Sequence, residues 1–241
     1  LRWNPKMKKY IFGKRDSIHI IDLTQTLELI NVALEKVYKV ISENGKILFI
    51  STKKQAAEAV AELAKETDQF YVNHRWLGGM LTNWGTISNS IKKLEKINLD
   101  LVSENRGFTK KELLKMSVQR DKLQKSLGGI YEMKKVPDLV FVIDTNYESL
   151  AIKESVKLGI PIIAILDSNS DPEGIDFPIP GNDDARRSID LYCNLIKETI
   201  ESAKKELPSS QTNSTQRNLI KKESEEIKKK DKSKKDNSPI N

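Results

Sequence analysis

The chain has 241 residues, 38% of them hydrophobic and 31% charged, with a formal net charge of +7. That length holds one large domain with an excursion, or two domains, and no apolar run is long enough to span a membrane. A basic balance points to a polyanionic partner, nucleic acid first. Yet nine basic and five acidic residues follow Pro208, so the tail carries +4 and the rest only +3. RNA binding therefore cannot rest on net charge. The single cysteine, Cys193, excludes an internal disulfide and fits a reducing compartment. It falls on an apolar helix face, where a thiol behaves as a small hydrophobe. No signal-peptide pattern opens the chain. It starts at Leu1 rather than Met, as expected of a fragment, a processed product or a non-standard start codon.

Residues 1–17 form a basic arm in which Arg2, Lys6, Lys8 and Lys9 alternate with Trp3, Tyr10 and Phe12. It shows no helical or strand period. Such an arm can stack aromatics on bases and meet phosphates with its cations. Equally, it can pack on the domain with its lysines in solvent. Ile18-His19-Ile20-Ile21 reads as the first strand, and Asp22 or Thr24 caps a helix that buries Leu27, Ile30, Leu34, Val37 and Ile41. Gly45 ends that helix. Lys46–Ile50 is a second strand whose apolar run, without alternation, suits a sheet covered on both faces. Lys53–Glu66 is an Ala-rich helix with Ala56, Val60 and Leu63 inward, and Gln69–Val72 a third strand.

Residues 85–133 change character. Ile87, Ile91, Leu94 and Leu101 form a thin apolar stripe among lysines. Thr109-Lys110-Lys111-Glu112 is a capping box opening a second helix with Leu113, Met116, Leu123 and Leu127 on one side. These read as an antiparallel coiled-coil hairpin projecting from the domain. The strand pattern resumes at Pro137–Asp144. Helix 147–158 and strand Pro161–Asp167 follow, then a short extended piece, Phe177–Pro180. Gly181-Asn182-Asp183-Asp184 starts a last helix that buries Ala185, Ile189, Cys193, Ile196 and Ile200. Residues 204–241 read as a disordered Lys-rich tail. The alternation makes an α/β domain from 18–84 and 134–203, a parallel sheet of about five strands with the hairpin inserted.

In such a sheet ligands bind beyond the carboxyl ends of the strands. Asp22, Thr52, Asn73, Asp144 and Asp167 follow strands one to five. The three aspartates suggest a nucleotide- or metal-binding regulator or enzyme, though capping the next helix or turn is the commoner use of such residues. No Gly-rich phosphate turn follows the first two strands. His19 and His74 lack metal-ligand spacing, and no nucleophile elbow occurs. The stretch 70–84, Phe-Tyr-Val-Asn-His-Arg-Trp-Leu-Gly-Gly-Met-Leu-Thr-Asn-Trp, holds more planar side chains than a plain connection needs.

Residues 72–84 of that stretch resemble the hallmark of the bacterial-type small-subunit ribosomal protein S2 family. So do Arg2–Met7 with Tyr10–Gly13, Ser126–Ile130, Pro137–Asp144 with Glu154 and Gly159–Pro161, Asn169–Pro172 and Ile179–Ala185. The resemblance runs from Arg2 to about Ile200. It implies a three-layer flavodoxin-like fold, a structural and non-catalytic role in translation, and no cofactor, metal or small-molecule substrate. The implied partners are small-subunit, 16S-type rRNA between head and body and other small-subunit proteins. Protein S1 is among the latter, held near the messenger exit. The location is a cytoplasmic bacterial ribosome or an organellar one, with no membrane. Two departures stand out: the family's opening helix with its Gly-Val-His-Phe-Gly-His-like segment is absent before Arg2, and the Lys-rich tail has no counterpart.

Dispersed cations without a dense basic stripe suggest backbone and shape recognition of RNA. The expected RNA contacts are Arg2, Lys6, Lys8, Lys9, Asn73, His74, Arg75, Asn83, Lys92 and Lys93. Arg75 can fork two phosphate oxygens or stack on a base. Asn73, His74 and Asn83 suit sugar hydroxyls or base edges. Trp76, Gly78, Gly79 and Trp84 are the expected structural anchors.

Overall fold

A computed structural model describes residues 3–102, 107 and 109–206. The chain divides into two units, 1–204 and 205–241, and the fold below is that of the first. The expected tail lies outside the described residues, except that the last helix reaches Glu206.

The domain is built on five parallel strands: β3 (Ile47–Ile50), β4 (Phe70–Val72), β5 (Leu139–Ile143), β6 (Ile162–Leu166) and β7 (Phe177–Pro180). Their spatial order is β4-β3-β5-β6-β7, which is 2-1-3-4-5 within the sheet and therefore flavodoxin-like. Every residue of β3, β5 and β6 is buried. Alternate side chains feed two cores, because successive strand residues point to opposite faces. On one face Phe49, Phe141, Ile163 and Ile165 meet α1 (Leu23–Ser42), α2 (Lys54–Glu66) and α6 (Arg186–Glu206). Phe49 and Phe141 touch edge to face at 5.6 Å. On the other, Leu48, Ile50, Val140 and Ala164 meet Trp76, Met80, Leu81 and α5 (Ser149–Leu158). Ile87 of α3 (Trp84–Val102) and Leu127 of α4 (Lys110–Leu127) join that core. The result is three layers, as expected.

The sheet holds five strands, but not the five read from sequence. Residues Ile18–Ile21 form β2, which pairs antiparallel with β1 (Ile11–Arg15) in a separate two-stranded ribbon. The arm is thus structured: a 3-10 turn over Pro5–Tyr10 places Met7 and Tyr10 in the core before β1 begins. The missing sheet strand is β7, which carries two prolines. It is an edge strand, so each proline's lost N–H costs no pairing on its open side.

Three expected core residues are exposed instead. Leu27 is 64% exposed because α1 turns Thr26, Ile30, Ala33 and Val37 inward, and the Thr26 hydroxyl donates to the Pro180 carbonyl at 2.7 Å. Leu113 lies on the early part of α4, whereas the later Leu123 and Leu127 reach the core. Ala185 precedes α6, whose first residue is Arg186. The α3 stripe is Ile87, Ile91, Leu94 and Ile97, packed beside α4. Thr109 and Glu112 form the capping box, the Glu112 carboxylate accepting from the Thr109 N–H at 2.8 Å. Among the described residues no helix is long and apolar enough to cross a membrane.

Candidate nucleic-acid interface

The loop from β4 to α3 leaves the sheet edge at Val72. The Asn73 amide donates to the Ala57 carbonyl at 3.3 Å, holding the loop's first residue against α2. His74 and Arg75 then point into solvent. Trp76 turns back into the core and is only 8% exposed. Its indole N–H donates to Glu154 Oε1 on α5 at 3.0 Å, and the Gly79 N–H donates to the same oxygen at 2.8 Å. Glu154 Oε2 accepts from the Leu81 N–H at 3.0 Å, the Thr82 N–H at 3.1 Å and the Thr82 hydroxyl at 3.0 Å.

One buried carboxylate therefore takes five hydrogen bonds from one loop. Burial pushes its pKa up, but the Trp76, Thr82, Leu81 and Gly79 donors together hold it below the usual glutamate value. Gly79 has φ +80°, a conformation that suits a residue without Cβ. Met80 and Leu81 fill the space beneath the loop. The exit from α4 meets the same edge: a Cβ on Gly129 would lie 2.1 Å from the Tyr71 carbonyl oxygen, so only glycine lets the two backbones approach.

A second charged group lies at the carboxyl ends of β3, β5, β6 and β7. Lys53 Nζ pairs with Asp183 at 2.8 Å, Asp184 at 2.6 Å and Asp144 at 3.1 Å. Asp167, Asp183 and Asp184 bring one oxygen each within 4.8 Å of one another, the one grouping among the described residues with the donors for a cation. Burial opposes the charge of Lys53, but the Asp183, Asp184 and Asp144 carboxylates hold its pKa above the usual lysine value. Burial pushes Asp183 up to about 6 against the pull of Lys53, with Asp144 and Asp167 adding repulsion. Asp144 and Asp167 also serve turns: Asp144 Oδ1 accepts from the Asn146 and Tyr147 N–H groups, and Asp167 Oδ1 from the Ser168 N–H.

A profile of ribosomal protein S2 matches residues 1–203. The chain belongs to the ribosomal protein S2 family. Small ribosomal subunit protein uS2 of Agrobacterium fabrum is 58% identical over 195 residues, 81% of this chain and 76% of that one. The namesake of Parvibaculum lavamentivorans is 55% identical over 199 residues, covering 83% and 79%. That of Phenylobacterium zucineum is 58% identical over 199 residues, covering 83% and 68%. Members of the S2 family are structural constituents of the small ribosomal subunit, and this member is no enzyme.

The aspartate reading loses a member accordingly. Asp22 caps α1 through the Thr24 N–H at 3.0 Å; it follows β2, in the ribbon rather than the sheet, and is not among the aspartates grouped with Lys53. Cys193 is buried, and burial pushes its thiol up to about 12.

The S2 structure distributes the expected RNA contacts unevenly. Arg2 lies outside the described residues. Lys6 is engaged with Asp171 at 2.9 Å and with Glu173. Lys8 is exposed, and Lys9 lies over the Tyr10 ring at 4.6 Å. Asn83 accepts from the Thr86 hydroxyl at 3.0 Å at the start of α3. Lys92 and Lys93 are exposed side by side on α3. Among the described residues His74 and Arg75 have no hydrogen bond or ion pair, although Arg75 directly precedes the best-anchored side chain of the loop.

Of the expected anchors, Trp76 is buried and Trp84 half-buried against the same core. Gly79 needs its left-handed φ, but Gly78 has an ordinary one and room for a Cβ, 3.9 Å from Leu150. Sequence reasoning did not single out Glu154 as the loop's organiser. The available signal was an acidic residue within an otherwise apolar helix face, between Ala151, Ile152 and Ser155.

Proposed function

We propose that the protein is anchored in the small ribosomal subunit by small-subunit rRNA between head and body, through the loop after β4. The observation that carries this reading is the pair His74–Arg75, exposed and without partners among the described residues, next to a deeply pinned Trp76. A guanidinium held on a rigid base suits a phosphate fork or a base face. The imidazole of His74 offers a hydrogen bond to a ribose hydroxyl or base edge. Asn73, Asn83, Lys8 and Lys9 add weaker contacts, and Lys92 and Lys93 carry the hairpin onto phosphates. The binding is backbone- and shape-directed, so affinity falls steeply as salt rises.

Retention of protein S1 near the messenger exit, and residence in a cytoplasmic ribosome, belong to the same proposal and are supported by the family membership. The test is cosedimentation of the chain with small subunits stripped of this protein, over a series of salt concentrations. Binding that weakens steeply with salt, and weakens further in Arg75→Ala, supports the reading. A flat salt response overturns phosphate anchoring.

A further inference from the structure

Every group that faces the Glu154 carboxylate is a donor. Oε1 receives the Trp76 indole and Gly79 N–H groups; Oε2 receives the Leu81 and Thr82 N–H groups and the Thr82 hydroxyl. Only the hydroxyl can reverse its role. A glutamine of the same shape would turn its NH2 toward one of the two oxygen positions. Either way round, that NH2 meets two N–H groups that cannot accept. The shell therefore demands a carboxylate, not just a polar side chain of that length.

The residues so held are the ones that fix the direction of the chain at Arg75. Trp76 is its immediate neighbour, and its ring is pinned at both ends, by the core and by Glu154. The left-handed turn at Gly79 then returns the chain so that Leu81 and Thr82 close on the same carboxylate. A loop without this clamp would lose conformational freedom on binding RNA and would bind more weakly for that reason.

We propose that Glu154 is the positioning residue of the RNA interface, its carboxylate pre-setting residues 76–82 so that His74 and Arg75 are presented to rRNA in one orientation. This rests on the reading that Arg75 contacts RNA. Glu154 itself touches no RNA.

The experiment is a double-mutant cycle in the full chain, measuring affinity for small subunits stripped of this protein. Glu154→Gln weakens binding about tenfold, as does Arg75→Ala. Their combination falls well short of the product of the two single effects, because Glu154 acts through Arg75 and, for the remainder, through His74. Lys92→Ala on the hairpin is the control, and its effect multiplies with that of Glu154→Gln. A role confined to holding the fold together would make both combinations multiply alike, and that result overturns the proposal. Wild-type affinity in Glu154→Gln overturns it as well.

If Glu154→Gln does not fold, Thr82→Val removes one donor while keeping the side chain's shape. It then carries the same cycle with about a threefold effect. Unchanged binding in Arg75→Ala would remove the RNA reading on which the proposal stands. Loss in Arg75→Ala with none in Glu154→Gln would remove the positioning role alone.

Discussion

Among the described residues Glu154 meets five donors and no like charge, whereas Lys53 meets three carboxylates in a cluster that has a fourth nearby. Both side chains are largely buried, one on α5 and the other beyond the carboxyl ends of the strands, and they are satisfied by opposite means. Neutral N–H groups stabilise an anion without titrating themselves, so the loop keeps its shape over a wide pH range. In the aspartate cluster burial, with repulsion from Asp144 and Asp167 added, raises Asp183 to about 6, so that this one carboxylate changes protonation within an ordinary pH range. Hydrogen bonding fixes geometry in the first case; in the second, three carboxylates share one ammonium, and their mutual repulsion favours protonation.

Removing Lys53 gives the largest expected effect. In Lys53→Met, Asp144 and Asp183 stay buried without their cation, and stability falls by about 3–5 kcal/mol, read from denaturant midpoints at neutral pH. A loss below 1 kcal/mol would mean that the cluster is better hydrated than its burial indicates.

The next effect is the pH response. Asp183 takes up a proton near pH 6 when folded, but near its ordinary 3.8 when unfolded. Between those values the folded chain binds more protons, so stability falls as pH rises, by at most about 3 kcal/mol. Asp183→Asn should abolish that fall; an identical slope in wild type and variant would assign it to another group. Glu154 works with the opposite sign. Its folded pKa is lowered, so its contribution is full above the ordinary glutamate range and is lost only as pH drops through the lowered value.

Glu154→Gln comes third, costing about 1–3 kcal/mol for donors left unpaired in the interior. Thermal unfolding at neutral pH measures it, and a neutral result would show that the shell can rearrange around an amide. The smallest contrast lies within the glycine pair. Gly79→Ala costs about 1–2 kcal/mol because an L side chain must hold φ +80°. Gly78→Ala falls within about 0.5 kcal/mol of wild type. Equal costs at the two positions would break the assignment of the turn to Gly79.

The runs Ile47–Ile50, Leu139–Ile143 and Ile162–Leu166 were legible as buried strands because no polar residue interrupts them. Ile18–Ile21 was equally apolar, yet composition says nothing about the partner, and its partner is the arm. Phe177–Pro180 was masked by its prolines, whose exclusion from strands does not extend to an edge. Trp76 and Gly79 could be read as anchors from residue type. What they are anchored to could not, since Glu154 lies on a helix beyond the whole hairpin. Arg75 and Asn83 looked alike as polar loop residues, but only the hydrogen-bond pattern separates a free guanidinium from an amide already committed to a helix start.

The pairing of Ile47 with Leu139 has a consequence for how this chain acquires its structure during synthesis. The centre of the sheet cannot close until the ribosome has delivered β5, long after β3 and β4 have emerged. The contacts between α3 and α4, by contrast, are local and become available as soon as both helices are made. The hairpin can therefore form first and bring its two ends together, shortening the effective loop that the β3–β5 pairing must close. A hairpin formed in that order would hold the middle of the chain compact while the sheet waits for its second half.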